Sequence, residues 1–248
     1  MRRLQVMLFQ MCYGPEIESI YSTIHRHPGV TSLELKEWFQ YNLEGDISSL
    51  IEGTINFLKD INFIKTQDRR LYSKVEDWNI TNVLTELNLI SKGEEEESLN
   101  YIFTRMYYEL FIKSDELFIE DIYHKTNLIF NNSVGQEKIN AWKRMMEFFG
   151  LGYRVYGGFY ALPHLSLLIK IIEKYKGWEG PVQTFCQSHL STIIPCEYKG
   201  RIYKGVVYGL QNLHTEGVIQ LQYKQDLPYT VFQESQSQWN WIKIREEF

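Results

Sequence analysis

The feature that most constrains this fold is a helix that stops at a glycine and leads directly into a short strand. It lies near the C-terminus in residues 200–219, and two other stretches, 47–64 and 134–153, end in much the same way. The three passages close at Ile64, Tyr153 and Ile219, which are 89 and 66 residues apart, so an architecture recurs without a fixed period. This pattern predicts a mainly α chain with short β-hairpins, an α+β class built from three small units.

The first unit is predicted to span residues 1–90, with three helices followed by two strands. Its first helix is expected to end before the breaker His27-Pro28-Gly29. Thr31 or Ser32 is expected to cap the second helix, and Asp46 the third. The two strands are expected at residues 63–65 and 71–72.

The second unit is predicted to span residues 91–164. It begins at the acidic run Glu94-Glu95-Glu96-Glu97, whose like charges cannot share a core. A loop at Asn131-Asn132-Ser133 is expected to lead into its third helix, at residues 134–149. The following strands, 151–156 and 159–162, are expected to be joined by the tight turn Tyr156-Gly157-Gly158, because both glycines tolerate positive φ.

The third unit is predicted to span residues 165–248, with its third helix running from Arg201 to Glu216. A half-buried strand is expected at residues 218–223, followed by a turn at Asp226-Leu227-Pro228 and a strand at 229–232. The tail is too aromatic to be left in solvent. We therefore expect residues 239–242 to pack on the body of the protein or on a partner.

Charge limits the ligands that the chain as a whole can attract. It carries 26 Lys and Arg against 31 Asp and Glu, a net charge of −5, and residues 1–90, 91–165 and 166–248 carry −3, −3 and +1. The whole molecule therefore has no field that attracts nucleic acid or an anionic membrane, and any nucleic-acid binding must come from a local patch. Three scattered cysteines and the absence of a run of about 20 apolar residues predict a cytoplasmic protein without a membrane span.

The passages at residues 58–64, 149–153 and 213–219 make most of the chain resemble the tandem winged helix-turn-helix superfamily. The resemblance implies three tandem winged-helix units, in which the short β-hairpins are the wings. Proteins of this shape include dimeric DNA-binding regulators. They also include accessory (adaptor) subunits of SMC-type ATPase complexes and of bacterial anti-phage or anti-plasmid defence complexes.

The acidic charge favours the adaptor group over the regulators. The partners expected on this resemblance are a protein, such as an SMC-like ATPase or a nuclease subunit, and duplex DNA, with no membrane. A free-standing transcriptional regulator that acts as a homodimer is the alternative.

In a winged helix that reads DNA, the third helix lies in the major groove and the wing touches phosphates. The third helix of the first unit offers one basic residue, Lys59, so it is a poor reader. The preferred candidates for nucleic-acid binding belong to the third unit, and the next belong to the second unit. The alternative is that these residues only form an ordinary solvated helix face. The candidates are Lys199, Arg201, Lys204, Tyr208, Gln211 and Lys224, then Lys138, Lys143, Arg144 and Arg154.

Aromatic side chains are the candidates for a protein interface, because such interfaces are anchored mainly by Trp, Tyr and Arg. Four tryptophans are predicted to bind a partner, although some aromatic residues are expected to lie in the core. They are Trp38, Trp178, Trp239 and Trp241.

Enzymatic signals are weaker. Glu197-Tyr198-Lys199 resembles half of the motif of restriction-type nucleases, but the usual upstream Asp is missing. Cys186, His189 and Cys196 supply three nominal zinc ligands without a second spaced pair. The sequence therefore predicts no catalytic residue, no metal and no cofactor, and a restriction-type nuclease subunit is the second alternative.

Overall fold

The computed structural model of the protein describes residues 8–9, 12–41, 44–95, 98–131, 134–225, 231–234 and 237–248. About 51% of the chain is helical and 16% is in strands that form small antiparallel sheets, which confirms the α+β class. The chain divides into two compact units. Unit 1 comprises Met1–Arg105 and Ile122–Phe149, and unit 2 comprises Met106–Asp121 and Gly150–Phe248. The division at residues 1–90, 91–164 and 165–248 stays a prediction.

The described part of the chain contains ten α-helices. They are α1 (Pro15–Arg26), α2 (Ser32–Phe39), α3 (Ser48–Asp60), α4 (Ile80–Ser91), α5 (Leu99–Tyr107), α6 (Ile122–Phe130), α7 (Gln136–Phe148), α8 (Leu165–Ile172), α9 (Val182–Ser188) and α10 (Lys204–Thr215). A π-helical turn at Tyr108–Ile112 follows α5, and 3-10 turns at Glu173–Tyr175 and Leu190–Thr192 follow α8 and α9.

The strands of the described residues are short, and every pairing among them is antiparallel. They are β1 (Ile64–Gln67), β2 (Arg70–Ser73), β3 (Phe118–Ile119), β4 (Tyr153–Val155), β5 (Gly158–Tyr160), β6 (Glu179–Pro181), β7 (Glu197–Tyr198), β8 (Arg201–Ile202), β9 (Ile219–Gln222), β10 (Phe232–Glu234), β11 (Ser237–Trp239) and β12 (Trp241–Ile244). Two sheets have three strands, in the orders β6-β12-β9 and β3-β5-β4. The two-stranded sheets are β1-β2, β7-β8 and β10-β11.

One strand order occurs three times along the chain. Val30, between α1 and α2, bridges Leu71 in β2, and β2 pairs with β1. Strand β3, between α5 and α6, pairs with β5, which pairs with β4. Strand β6, between α8 and α9, pairs with β12, which pairs with β9. In each case, the segment between two consecutive helices pairs with the later of two antiparallel strands: Val30 with β2, β3 with β5, and β6 with β12.

The helices α3, α7 and α10 end in the same way, as the sequence predicts. Each is followed within two residues by a left-handed residue, namely Asn62, Gly150 and Gly217, with φ of 62°, 79° and 75°. After α3 and α10, the next backbone N–H, of Phe63 or Val218, donates at 2.9 Å to a carbonyl five residues earlier. This bond reverses the chain into the first hairpin strand. All three predicted passages from helix to strand are confirmed.

The predicted start of the second helix is confirmed at Thr31. Its hydroxyl accepts from the Glu34 N–H at 3.2 Å, and the Glu34 carboxylate accepts from the Thr31 N–H at 2.8 Å, which completes a capping box. The third helix begins at Ser48, whose N–H donates to Asp46 Oδ1 at 2.9 Å. Its N-cap residue is Ile47, so the cap predicted at Asp46 is one residue too early.

Two predicted boundaries are wrong. The turn of the second hairpin is Tyr156-Gly157, because Gly158 already pairs with Val155 as the first residue of β5. A Cβ on Gly158 would lie 2.3 Å from the Ile119 carbonyl oxygen. Glycine at this position therefore allows β5 to approach β3 closely. Helix α10 starts at Lys204 because residues 197–202 form the β7–β8 hairpin.

The aromatic tail packs on the body of unit 2, as expected. Strand β12 is the centre of its sheet and buries Ile242 completely. Three predicted features lie outside the described residues, namely Glu96 and Glu97, Asn132 and Ser133, and the stretch 226–230 with its predicted turn and strand start. None of the described helices is long and apolar enough to cross a membrane.

Candidate nucleic-acid interface

The β7–β8 hairpin presents the first of the predicted basic residues. Lys199 and Gly200 form its turn with φ of 50° and 81°, the pair of positive values typical of a type I′ turn. The Gly200 N–H donates to Glu197 Oε1 at 2.9 Å, and the Lys199 ammonium lies 5.2 Å from the centre of the Tyr198 ring. Lys199 is therefore exposed at the tip of a short, braced hairpin.

Arg201 and the start of α10 are fixed by a distant segment of unit 2. Arg201 Nη2 donates to the Lys113 carbonyl at 3.2 Å, and its Nε lies 3.9 Å from Asp115 Oδ2. The other oxygen of Asp115 accepts from the Lys204 N–H at 3.1 Å. Asp115 thus satisfies a free N–H group at the N-terminus of α10 from a position 89 residues earlier in the chain.

The acidic partners make the surface around this hairpin close to neutral. Lys113 is bound by Glu109 at 2.9 Å, and this hydrogen bond raises the pKa of the lysine. Glu197 belongs to the same hairpin as Lys199, and Asp115 lies 3.9 Å from Arg201. Spacing along the chain does not predict this compensation, because Lys113 and Asp115 are far from Arg201 in sequence and meet it only in the fold.

The outer side of α10 carries the predicted reading residues. Its buried side consists of Gly205, Val206, Gly209, Leu210 and Leu213. Tyr208 is 44% exposed, and Lys204 and Gln211 are half-buried. The spacing of these three residues, four and then three positions, places them along one stripe of the helix. Lys204, Tyr208 and Gln211 therefore share one stripe of α10, and Lys204 at its start lies two residues after the end of the hairpin.

Lys224 belongs to a different cluster of unit 2. Its ammonium donates to Glu179 Oε1 at 3.1 Å and lies 3.6 Å from the centre of the Trp241 ring. Glu179 also accepts from the Trp241 indole N–H at 2.9 Å and lies 3.7 Å from the Lys243 ammonium. The bonds from Trp241 and Lys224 are the main reasons why the pKa of Glu179 is lowered.

Of the basic residues predicted within residues 91–164, three lie on α7 in unit 1 and differ in exposure. Lys143 is only 8% exposed, which corrects its predicted place on the outer side of α7. Its position four residues after Ile139, which is fully buried, puts it on the border of the apolar stripe. Arg144 lies 4.4 Å from the centre of the Tyr13 ring, and Lys138 is half-buried. Arg154 is exposed on β4, which belongs to unit 2.

The four tryptophans differ in exposure. Trp239 is 2% exposed and stacks on Phe232, with ring centres 4.6 Å apart, so the prediction that it binds a partner is corrected: it is a core residue. Trp178 is half-buried against Phe185 and His189. Trp241 is half-buried in the Glu179 cluster described above. Trp38 remains the most accessible of the four, with 52% of its surface exposed.

The residues weighed for zinc or nuclease chemistry have local partners. Cys196 Sγ donates to the Cys186 carbonyl at 3.4 Å, and the ring of His189 lies 4.5 Å from that of Tyr175. Within the described ranges, no group of three or more His, Cys, Asp or Glu side chains is placed to hold a metal ion. Burial raises the pKa of the remaining thiol, Cys12, to about 12, so it is protonated at neutral pH.

Comparison of the chain with protein-family models, curated proteins and solved structures found no match.

Proposed function

We propose that the protein is a non-catalytic adaptor, built from three tandem winged-helix units, in a multi-subunit DNA-handling complex. The observation that carries this proposal is the strand order that occurs three times. Each occurrence places a strand or bridge between the first two helices beside the last strand of a following antiparallel pair. A chain that repeats one small binding architecture offers several surfaces to partners, which is the requirement of an adaptor.

The proposed protein contact is centred on Trp38. We choose Trp38 because it is exposed, and a large aromatic side chain on the surface is the usual anchor of a protein interface. An SMC-type ATPase or a nuclease subunit of a defence complex is the proposed partner. Helix α2, which carries Trp38, belongs to unit 1 and is distinct from the proposed DNA-contacting hairpin of unit 2.

We expect the full-length protein, purified from its native host through an affinity tag, to elute with an ATPase or nuclease identifiable by mass spectrometry. Trp38→Ala should reduce the yield of this partner without loss of the fold. The matched control is Leu89→Ala, which removes another apolar side chain of unit 1 that is 54% exposed. If the protein elutes as a homodimer without a partner and prefers one palindromic duplex, the adaptor hypothesis is wrong and the transcriptional regulator is favoured.

The proposed DNA contact is to the phosphate backbone, through Lys199, Arg201 and Lys204. Replacing all three by glutamine should weaken binding of a random-sequence duplex and lower the salt slope by about 0.9 for each lost contact. The control replaces Lys170, Lys174 and Lys176, which are exposed lysines of the same unit, by glutamine. Affinity is measured by fluorescence anisotropy at several salt concentrations. An equal loss of affinity in both variants would show only a general charge effect and would contradict the assignment of this site.

A further inference from the structure

We propose that a cleft between helix α4 and the residues that follow α3 binds a primary alkylammonium group, with the Glu86 carboxylate as its counter-ion. A free alkylamine carries this group, and so does the side chain of a lysine. Every described residue that lines this α3–α4 cleft belongs to unit 1. The site goes beyond the proposed function, because its lining residues include neither Trp38 nor any residue of the DNA-contacting hairpin.

The α3–α4 cleft has the size and the apolar wall that a short alkyl chain needs. Its volume is about 150 Å³. Ile61 and Phe63, which line it, are 0% and 1% exposed, and Val75 beside them is half-buried. A cavity of about this volume holds a guest of roughly the size of benzene. The cleft therefore suits a chain of about four carbon atoms with one polar end.

The polar side of the cleft supplies hydrogen-bond acceptors. Asn82, Thr85 and Glu86 are three and four residues apart on α4, so they share one stripe of the helix. Asn62, which follows α3, also lines the cleft. The Thr85 hydroxyl donates to the Thr81 carbonyl at 2.8 Å, which leaves its oxygen available as an acceptor. These oxygens match a ligand that only donates.

Glu86 is the charged group of the cleft. It is half-buried and has neither an ion pair nor a hydrogen bond from its side chain among the described residues. Its neighbours three and four positions away on α4 carry no positive charge. They are Asn82, Val83, Leu89 and Ile90. Partial burial deprives the carboxylate of some of its water, and an ammonium ion that enters the cleft would supply the missing partner.

Two further charges act on a cation in the cleft, with opposite signs. Helix α3 has 13 residues and ends at Asp60, directly before Ile61, so the partial negative charge of its C-terminus lies beside the cleft. Lys74 opposes a bound cation, because its Nζ donates to Asn62 Oδ1 at 2.9 Å and thus reaches the rim. Lys74 is exposed, so water screens its charge more than that of the half-buried Glu86.

Other classes of small ligand fit the cleft less well. An anion would meet the Glu86 carboxylate, and among the described lining residues there is no Lys, Arg or His to bind it. A neutral guest would leave this carboxylate without a partner. A quaternary ammonium ion is recognised by several aromatic rings, whereas Phe63 is the single ring among the described lining residues. A primary ammonium group donates three hydrogen bonds, which the carboxylate, amide and hydroxyl oxygens can accept.

The test is titration of the full chain with n-butylammonium chloride at constant ionic strength. Binding is followed through the side-chain amide signals of Asn62 and Asn82 in proton–nitrogen correlation spectra. We expect saturable shifts, and we expect n-butanol, which has the same chain and no charge, to bind about threefold more weakly or worse. Glu86→Gln keeps the size of the side chain and should remove this preference for the ammonium ion.

Two more variants separate the role of Glu86 from a general charge effect. Glu52→Gln removes an exposed carboxylate from α3 of the same unit and should bind n-butylammonium as the unchanged protein does. Lys74→Gln removes the opposing charge and should strengthen binding, by up to about threefold. The absence of saturable shifts, equal binding of n-butanol, or unchanged binding by Glu86→Gln would overturn the proposal.

A last arm distinguishes the two sources of the ammonium group. Lysine that is acetylated at its α-amino group and methylamidated at its carboxyl group presents the same four-carbon chain attached to a peptide backbone. If it binds as tightly as n-butylammonium, the cleft accepts a lysine side chain of another protein. If it fails to bind while n-butylammonium binds, the ligand is a free alkylamine. Either result supports an ammonium site at Glu86.

Discussion

Gly205→Val is expected to destabilise the protein by about 3–5 kcal/mol, through overpacking and loss of hydrogen bonds. A Cβ at this position would lie 2.4 Å from Tyr203 Cε1 and 2.6 Å from the Ala161 carbonyl oxygen. The carbonyl is backbone and cannot rotate away as a side chain can. Helix α10 would therefore have to move.

Displacing the Tyr203 ring would also cost free energy. Its hydroxyl donates to the Ala161 carbonyl at 2.8 Å and is 3.0 Å from that of Glu116. Burial raises the pKa of this hydroxyl strongly, so it stays a protonated donor at any ordinary pH. Displacing the ring would leave these carbonyls without their donor.

Urea denaturation followed by circular dichroism measures the loss, and hydrogen exchange in peptides from residues 204–215 locates it. The control is Gly135→Ala, where an added Cβ meets no atom within 4 Å. Gly135 is the N-cap of α7, with φ of −64° and ψ of 150° that any residue adopts. Because alanine is a poorer N-cap than glycine, we expect this control to change stability by no more than about 1 kcal/mol. An unchanged midpoint for Gly205→Val would show that α10 does not pack on residue 161 as described.

The ends of the third helices could be predicted because their signal is local. Gly150 and Gly217 supply the left-handed residue that stops a helix, and the apolar residues after them start a strand. The β7–β8 hairpin also has a local signal in the sequence. Lys199 and Gly200 form a turn between Tyr198 and Ile202, which favour strands, and this turn competes with the helical periodicity that predicts a start of α10 at Arg201.

The electrostatics of the candidate site could not be predicted from spacing. The charge of Arg201 is balanced by Asp115, which is far away in sequence and also accepts from the Lys204 backbone N–H. Burial of Lys143 was predictable in principle, since it shares a helical stripe with Ile139 and Met146. The burial of Trp239 depends on the pairing of β10 with β11, which hydrophobic periodicity alone does not reveal.

Trp142→Ala is expected to cost about 3–5 kcal/mol, the range for truncating a fully buried aromatic residue. Trp142 has no exposed surface, and its indole N–H donates to the Phe103 carbonyl at 3.0 Å within unit 1. The substitution leaves a large cavity beside α7 and removes the partner of a buried carbonyl. Both losses add to the same free energy of unfolding.

Thermal and urea unfolding of Trp142→Phe and Trp38→Ala separates these contributions. Phenylalanine keeps most of the ring volume but not the N–H, so we expect a loss of about 1–2 kcal/mol from the unpaired carbonyl and the smaller cavity. Trp38→Ala removes a tryptophan that is 52% exposed and should change stability by less than about 1 kcal/mol. If Trp38→Ala proved as damaging as Trp142→Ala, Trp38 would be a structural residue and its assignment to a partner interface would fall.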